Sequence, residues 1–303
     1  MRHEMRSGLL VCLLSASVTP VVAQTAPAPA PAVTPAATPA AAGNPLPLLV
    51  IYREEVRPGH SAAHAVNEGR WAGAYSKAGA PQTWLGMTTV AGPGEAWFLS
   101  RYASYDAFEQ SEAAVEKNTG LVSETDGFSA QESDMLSRTS TIMAGYRAPL
   151  SYQPDVPLPE MRYMQVDVVK VKAGFDRDFR TAWRQIAEAH TKAKMDEHWS
   201  VYEMEAGGPD LTFFFFYPRK TLAEMDKVGP MHGADAYRDA VGENGRLAQR
   251  EMAQRAIESS QTYVFRLRPA MSVLTKAWID ADPGFWTPKA PTVVAKNAPV
   301  AKK

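Results

Sequence analysis

Cysteine is almost missing from this sequence, in which Cys12 is the only one among 303 residues. Because Cys12 lies inside an apolar run near the N-terminus, the remainder of the chain has no thiol. That remainder can form no disulfide and contains no cysteine nucleophile or thiolate metal ligand. We therefore expect its stability to come from packing and hydrogen bonding.

An excess of charge is also lacking, since 32 Lys and Arg residues balance 33 Asp and Glu residues for a formal net charge of −1. Without a basic field the chain has little to attract nucleic-acid phosphates, and we expect no nucleic-acid partner. The sequence contains no Gly-x-Ser-x-Gly elbow, phosphate loop, Rossmann glycine fingerprint or His-Glu-x-x-His zinc helix. These absences argue against the commoner hydrolases and nucleotide-dependent enzymes.

The N-terminal region has the pattern of an export signal. A basic start in residues 1–6 precedes an apolar run over residues 7–22, which is too short to span a bilayer comfortably. Small residues around Ala23 suit a signal peptidase. We therefore expect residues 1–23 to be a signal peptide. The mature protein is then expected to be periplasmic or secreted, without a transmembrane segment.

Three further segments have the composition of linkers or tails. Residues 24–45 are almost wholly Ala, Pro and Thr, which predicts a disordered linker because such a segment cannot bury enough apolar surface to fold. Residues 149–159 contain four prolines and read as a Pro-rich linker between two folded parts. Residues 271–303 lose hydrophobic periodicity and predict a disordered C-terminal tail. Two folded segments remain, residues 46–148 and residues 160–270.

The two folded segments repeat one pattern. An aromatic run at residues 211–217 follows Gly207-Gly208-Pro209 and has the length and composition of a buried strand. Gly92-Pro93-Gly94, about 116 residues earlier, precedes a similar strand at residues 95–102. The turns that end at Gly59 and at Gly174 align at an offset of 115. Each segment has the order β-α-β-β-α-β of a ferredoxin-like fold.

This order resembles the dimeric α/β-barrel superfamily, which includes antibiotic-biosynthesis-monooxygenase-like and NIPSNAP-like groups. The resemblance rests on the first strand, its turn, the helix, the hairpin and an aromatic strand that ends at Tyr102-x-Ser104-x-x-x-Phe108. In that superfamily two sheets face each other as a barrel with helices outside. The resemblance therefore implies an α+β fold in which tandem ferredoxin-like repeats form an internal barrel within one chain.

The first helices of the two repeats differ on the face that should contact the sheet. That face carries Phe179, Ala182, Ile186 and Ala189 in the second repeat, but His64, Asn67, Trp71 and Ala74 in the first. A buried imidazole or amide without a partner costs about 1–3 kcal/mol, so these side chains need partners or a solvated pocket. One interpretation is a ligand pocket with His64 and Asn67 as polar contacts and Trp71 as a wall. The alternative is a helix rotated so that His64 and Asn67 reach water.

The histidines suggest two weaker possibilities. His60 and His64 have the i, i+4 spacing of paired metal ligands, but the sequence identifies no third ligand, so we expect no metal. Superfamily members that hold haem place an axial histidine on a helix against the sheet, which makes His190 or His232 conceivable in that role. Neither stands in a recognisable motif, and we expect no cofactor. His190 lies at the edge of the apolar stripe and is kept as a ligand-binding candidate.

These observations favour an exported small-molecule-binding protein whose ligand is apolar or aromatic and whose reaction is undefined. One alternative is a non-catalytic cell-envelope module with a solid barrel, suggested by the Ala/Pro spacer and the Lys-containing tail. Another is a cofactor-free or haem-linked monooxygenase-like enzyme, which the resemblance allows but no residue pattern supports. The sequence leaves the oligomeric state open.

Overall fold

A computed structural model of the chain describes residues 45–226 and 235–287. The predicted signal peptide and nearly all of the predicted linker at residues 24–45 lie outside this range. Within the described residues, no helix combines the length and the apolar character that crossing a membrane requires.

The first repeat has the predicted element order, except that two helices instead of one lie between its third and fourth strands. Its elements are β1 (Leu48–Val56), α1 (Ser61–Ala78), β2 (Leu85–Ala91), β3 (Glu95–Tyr102), α2 (Tyr105–Glu116), α3 (Thr119–Glu132) and β4 (Leu136–Tyr146). Ser104 caps α2 as its position in the sequence predicts, because its hydroxyl accepts a hydrogen bond from the Ala107 amide. Gly79 ends α1 in the left-handed conformation.

The second repeat follows the same order. Its elements are β5 (Tyr163–Val171), α4 (Asp176–Ala193), β6 (Ser200–Ala206), β7 (Thr212–Arg219), α5 (Asp235–Ala256) and β8 (Ile257–Leu267). Helices α1 and α4 are both 18 residues long. The first residues of α1 and α4 are 115 positions apart in the sequence. The first residues of β3 and β7 are 117 positions apart, because the hairpin loop of the second repeat is two residues longer.

All eight strands form one closed antiparallel barrel in the order β1-β3-β2-β8-β5-β7-β6-β4. Each repeat contributes four neighbouring strands, and the two sheets join where β2 pairs with β8 and β4 pairs with β6. The fold class predicted from the sequence, tandem ferredoxin-like repeats closed into a barrel, is therefore confirmed.

Alternation along the aromatic strand β7 divides its side chains between two cores. Phe214 and Phe216 point into the barrel, where Phe214 lies 6.3 Å from Trp97 of the first repeat, measured between ring centroids. Phe213 and Phe215 face the opposite way and pack beneath α4, with Phe213 at 4.8 Å from Phe179. The barrel interior is thus a shared core, and each repeat also has its own core between helix and sheet.

The prediction of a disordered tail from residue 271 onward is wrong for residues 271–287. This segment contains α6 (Lys276–Ala281) and α7 (Pro283–Trp286), and its Trp278 and Trp286 are buried in the barrel core. The Trp286 indole N–H donates a hydrogen bond to the Pro159 carbonyl oxygen at 2.6 Å. The sequence does not show this segment as folded because its helices are too short to display hydrophobic periodicity. Each of them buries an isolated aromatic ring instead. Residues 288–303 lie outside the described range.

Candidate functional site

A cavity of about 100 Å³ lies at the end of the barrel where β1 and β5 begin. Its walls come from the barrel strands, from the segment that joins the repeats and from the C-terminal segment. Most of the lining is apolar or aromatic, and includes Leu49, Trp84, Leu85, Leu99, Val156, Leu158, Met164, Trp199, Phe216, Leu274 and Trp278. The polar side chains of the lining are those of Thr83, Arg101, His198, Ser200, Tyr202 and Thr275.

Arg101 is the arginine that lines this cavity. It follows Trp97 and Leu99 on the interior face of β3, so strand alternation directs its side chain inward. Its guanidinium carbon lies 5.6 Å from the centroid of the Trp278 ring. Burial lowers the pKa of Arg101. Within residues 45–226 and 235–287, no carboxylate forms an ion pair with it.

The opposite end of the barrel shows how this protein neutralises an arginine when it has a partner. Arg53 donates three hydrogen bonds to the Glu95 carboxylate, the shortest at 2.8 Å, and its guanidinium lies 4.5 Å from the Trp97 ring centroid. Arg53 is therefore satisfied internally. Arg101 has no such carboxylate partner among the described residues.

Tyr202 on β6 is 3% exposed and lies beside Arg101. Its hydroxyl donates a hydrogen bond to the Leu46 carbonyl oxygen at 3.2 Å. Burial raises the pKa of Tyr202 well above its ordinary range despite the opposing charge of Arg101. Tyr202 therefore stays neutral at physiological pH and cannot serve as the counter-ion of Arg101.

A second group of buried polar side chains lies on the outer face of the sheet, under α1 and α3. We call it the Glu/His cluster, and it comprises Glu54 of β1, His64 and Glu68 of α1, and Glu132 of α3. All four residues are buried, with exposures of 1%, 1%, 5% and 8%. One donor atom from each lies within 4.8 Å of the others. Three carboxyl groups and an imidazole therefore share one water-poor site.

Hydrogen bonds account for part of this cluster. His64 Nε2 lies 2.6 Å from Glu54 Oε2 and 3.7 Å from Glu68 Oε1. The Asn67 amide donates hydrogen bonds to Glu132 Oε1 at 3.1 Å and to the Phe128 carbonyl at 3.2 Å. Glu68 Oε1 has no hydrogen-bond partner among the residues that the structure describes.

The electrostatics of the cluster disfavour three ionised carboxylates. Burial raises the pKa of Glu68 to about 11, and its hydrogen bond with Glu132 and the charge of Glu54 act in the same direction. Burial also raises the pKa of Glu54, against the lowering effect of His64. Protons or a cation must therefore compensate the negative charge at this site.

The structure buries both His64 and Asn67 beneath α1, and their role as ligand contacts stays a prediction. The alternative, in which α1 is rotated so that both residues reach water, is wrong because their exposures are 1% and 2%. Trp71 packs in the contact between α1 and α3, with its ring 5.7 Å from Phe128. The small-molecule cavity described above lies inside the barrel and is lined by other residues.

His190 is not part of this group. It lies on α4 in the second repeat, lines a cleft of about 770 Å³, and donates from Nδ1 to the Ile186 carbonyl at 2.7 Å. Aromatic rings of Tyr152, Trp199 and Tyr237 surround its imidazole at centroid distances of 4.7–5.3 Å. A haem on His190 would have to displace these rings, so its surroundings do not fit that cofactor. His232 lies outside the described residues.

Sequence reasoning missed Arg101, Glu54, Glu68 and Glu132. Two of them carried a usable signal: Arg101 alternates with Trp97 and Leu99 on the interior face of β3, and Glu68 is four residues from His64 on the same helix face. Glu132 is distant in sequence and joins the cluster through the packing of α3 on α1.

Comparisons with known proteins identify no family for the chain. No family model and no curated protein matches the chain significantly. Solved structures similar to it include a proposed monooxygenase from Lactobacillus acidophilus, with 11% identity over 73% of this chain and 94% of the other and a TM-score of 0.44. A proposed monooxygenase from Fusobacterium nucleatum is 13% identical over 74% and 93% of the two chains, with a TM-score of 0.47.

An anthrone oxidase-like protein and a chlorite dismutase from Candidatus Nitrospira defluvii also match. Their identities are 9% and 8%, and both TM-scores are 0.44. The match to the anthrone oxidase-like protein covers 76% of this chain and 94% of that protein's chain. The match to the chlorite dismutase covers 74% of this chain and 92% of the other. Similarities this low do not identify a function for the chain.

Proposed function

We propose that the protein binds a small molecule with an apolar or aromatic body and an anionic group in the cavity at the end of the barrel. The observation that supports this most directly is Arg101, which has no carboxylate partner among the described residues and lies in a mainly apolar and aromatic site. A partly dehydrated guanidinium without a partner is costly, and a ligand carboxylate would supply the missing charge and hydrogen-bond acceptors.

The size and lining of the cavity define the rest of the ligand. A volume of about 100 Å³ is somewhat below the roughly 150 Å³ of an engineered cavity that admits benzene. A one-ring acid with its carboxylate at Arg101 therefore enters this cavity only if lining side chains move slightly. Trp84, Trp199 and Trp278 would contact the ring of such a molecule. The solid barrel expected of a purely structural envelope module is disfavoured by the same cavity.

The proposed site of action is outside the cytoplasm, because residues 1–23 have the pattern of a signal peptide. Native mass spectrometry of the protein from periplasmic and culture fractions tests this together with ligand binding. We expect the mass of a chain that begins at Gln24, together with the mass of a bound small acid. A mass that retains residues 1–23 in every fraction would contradict export.

Binding is tested with benzoate and its neutral analogue benzamide, followed by tryptophan fluorescence and calorimetry. We expect benzoate to bind the full-length protein about tenfold more tightly than benzamide, which corresponds to roughly 1.4 kcal/mol. Arg101→Gln should remove this preference. Arg266→Gln, which changes an exposed arginine outside the cavity, should retain it. Equal affinity for acid and amide across a panel of aromatic and aliphatic pairs would contradict the proposal.

A further inference from the structure

We infer that the Glu/His cluster binds one divalent metal ion of the Mn²⁺, Fe²⁺ and Zn²⁺ class. The site lies between helices and sheet in the first repeat, apart from the residues that line the barrel cavity. It therefore goes beyond ligand binding at Arg101 and does not depend on it.

The donor set selects this class of ion. One imidazole nitrogen and three carboxylates combine the ligand preferred by zinc and iron with those preferred by manganese. Calcium and magnesium favour oxygen donors throughout, and copper(I) favours thiolates or thioethers. The absence of cysteine from the rest of the chain leaves histidine and carboxylates as the available strong ligands.

The donors already converge from three elements. His64 and Glu68 are one helical turn apart on α1, Glu54 comes from β1, and Glu132 ends α3. Four donors arranged tetrahedrally around an ion, with metal–ligand bonds of about 2.0–2.2 Å, lie roughly 3.3–3.6 Å apart. The donor atoms of the cluster lie within 4.8 Å of one another, and His64 Nε2 lies 2.6 Å from Glu54 Oε2. An ion at their centre therefore requires side-chain adjustments that draw the outer donors inward and move this close pair apart.

Glu68 provides an independent observation that the hydrogen-bond network is incomplete. Its Oε1 atom is buried and has no hydrogen-bond partner among the described residues, yet it faces His64 Nε2 at 3.7 Å. A buried polar oxygen without a partner costs about 1–3 kcal/mol. A metal ion beside Glu68 Oε1 would give that atom a partner, and it would replace the proton that His64 Nε2 now shares with Glu54 Oε2.

The second repeat shows that this position in the fold does not require polar residues. The counterparts of Glu54, His64 and Glu68, at an offset of 115, are Val169, Phe179 and Trp183. Those three side chains form a buried apolar core with Met252 and Ala256 at the end of α5. Apolar side chains therefore fill the same space in the second repeat. In the first repeat, burial of the carboxyl groups and the imidazole has a desolvation cost that packing alone does not explain.

Asn67 supports the site from outside the donor set. Its amide donates to Glu132 Oε1 and to the Phe128 carbonyl, which orients the carboxylate from α3. The four donors all come from the protein and the site is nearly closed to solvent, as in structural metal sites. Metal content and thermal stability are therefore the appropriate readouts.

The test uses the full chain after removal of metal with a chelator. Manganese, zinc and anaerobic iron(II) salts are added separately, excess is removed, and metal content and thermal unfolding are measured. We expect one equivalent per chain for at least one of these ions, together with a higher melting temperature. Arg101→Gln should bind the metal normally, so failure of the cavity proposal is distinguishable from failure of this one.

Two isosteric or near-isosteric variants and one control make the assignment specific. Glu68→Gln and His64→Gln should each weaken metal binding by tenfold or more, while Glu68→Gln retains the fold because it removes a buried ionisable group without changing shape. His60→Gln changes a partly exposed histidine outside the cluster and should keep full stoichiometry. No bound metal and no thermal shift with any of the ions would show a cluster neutralised by protons alone. Wild-type affinity in both cluster variants would also overturn the inference.

Discussion

His64 and His190 occupy the corresponding first helices of the two repeats, but their surroundings differ in kind. His64 contacts two carboxylates, whereas aromatic rings enclose His190 and burial lowers the pKa of its imidazole. Among the described residues, Glu197 lies 3.8 Å from His190 Nε2, and Tyr152 and Tyr237 are the other titratable groups in contact with the ring. The folded protein therefore favours neutral His190.

This environment predicts a pH-dependent stability. The ordinary imidazole pKa of about 6.5 applies to the unfolded chain, and the folded value is lower. The stabilising contribution is complete above the unfolded pKa and declines as the pH falls towards the folded pKa, because the unfolded state then binds more protons. His190→Gln should reduce the loss of unfolding free energy between pH 7.5 and pH 5.0, measured by urea denaturation.

The control for this prediction is His198→Gln. His198 is more exposed, with 35% of its side chain accessible, and its replacement should leave the pH dependence close to that of the wild type. An unchanged pH dependence in His190→Gln would mean that burial of this imidazole does not control acid sensitivity.

At the scale of secondary-structure elements, the C-terminal segment at residues 271–287 closes one end of the barrel. Leu274 and Trp278 line the cavity, and Trp286 reaches the joining segment through its hydrogen bond to Pro159. Arg162 pairs with Asp282 and so fixes the start of α7 beside β5. The segment therefore contributes both to stability and to the proposed binding site.

Trp286 should be essential to this closure. Trp286→Ala removes a ring that is 1% exposed and should cost about 3–5 kcal/mol of unfolding free energy because it leaves a cavity in the core. Trp286→Phe keeps much of the volume but loses the hydrogen bond to Pro159, and a smaller cost is expected. Urea denaturation measures both values, and a loss below about 1 kcal/mol in Trp286→Ala would contradict this role.

At the scale of the whole molecule, neither repeat can bury its inner sheet face alone. The barrel closes through two pairings between repeats, β2 with β8 and β4 with β6. Trp97 of the first repeat packs against Phe214 and Phe265 of the second, with centroid distances of 6.3 and 4.9 Å. Separation would expose this aromatic core to water.

Expression of the repeats as two chains tests this dependence. Residues 45–148 and residues 149–287 should each self-associate or aggregate when produced alone, and should form a 1:1 complex when produced together. Size-exclusion chromatography with light scattering gives the stoichiometry. A folded monomer of either fragment, with the melting temperature of the intact protein, would show that the barrel interface is dispensable.

The order of elements and the duplication could be predicted from the sequence by itself. Both follow from local chemistry: glycine and proline mark the turns, periodicity marks α1 and α4, and Ser104 begins α2. The polar substitutions at His64 and Asn67 were also visible because the two repeats could be compared position by position. These features depend on neighbours in the chain or on the repeat itself.

The tertiary structure decided which side chains share a site. Glu132 lies 64 residues beyond Glu68 and enters the cluster only through the packing of α3 on α1, a contact that no local pattern encodes. Arg101 becomes an unpaired cation only when barrel closure places it at a cavity without a carboxylate partner among the described residues. Charge pairing and burial are set by long-range packing, so the functional chemistry depended on the closed barrel.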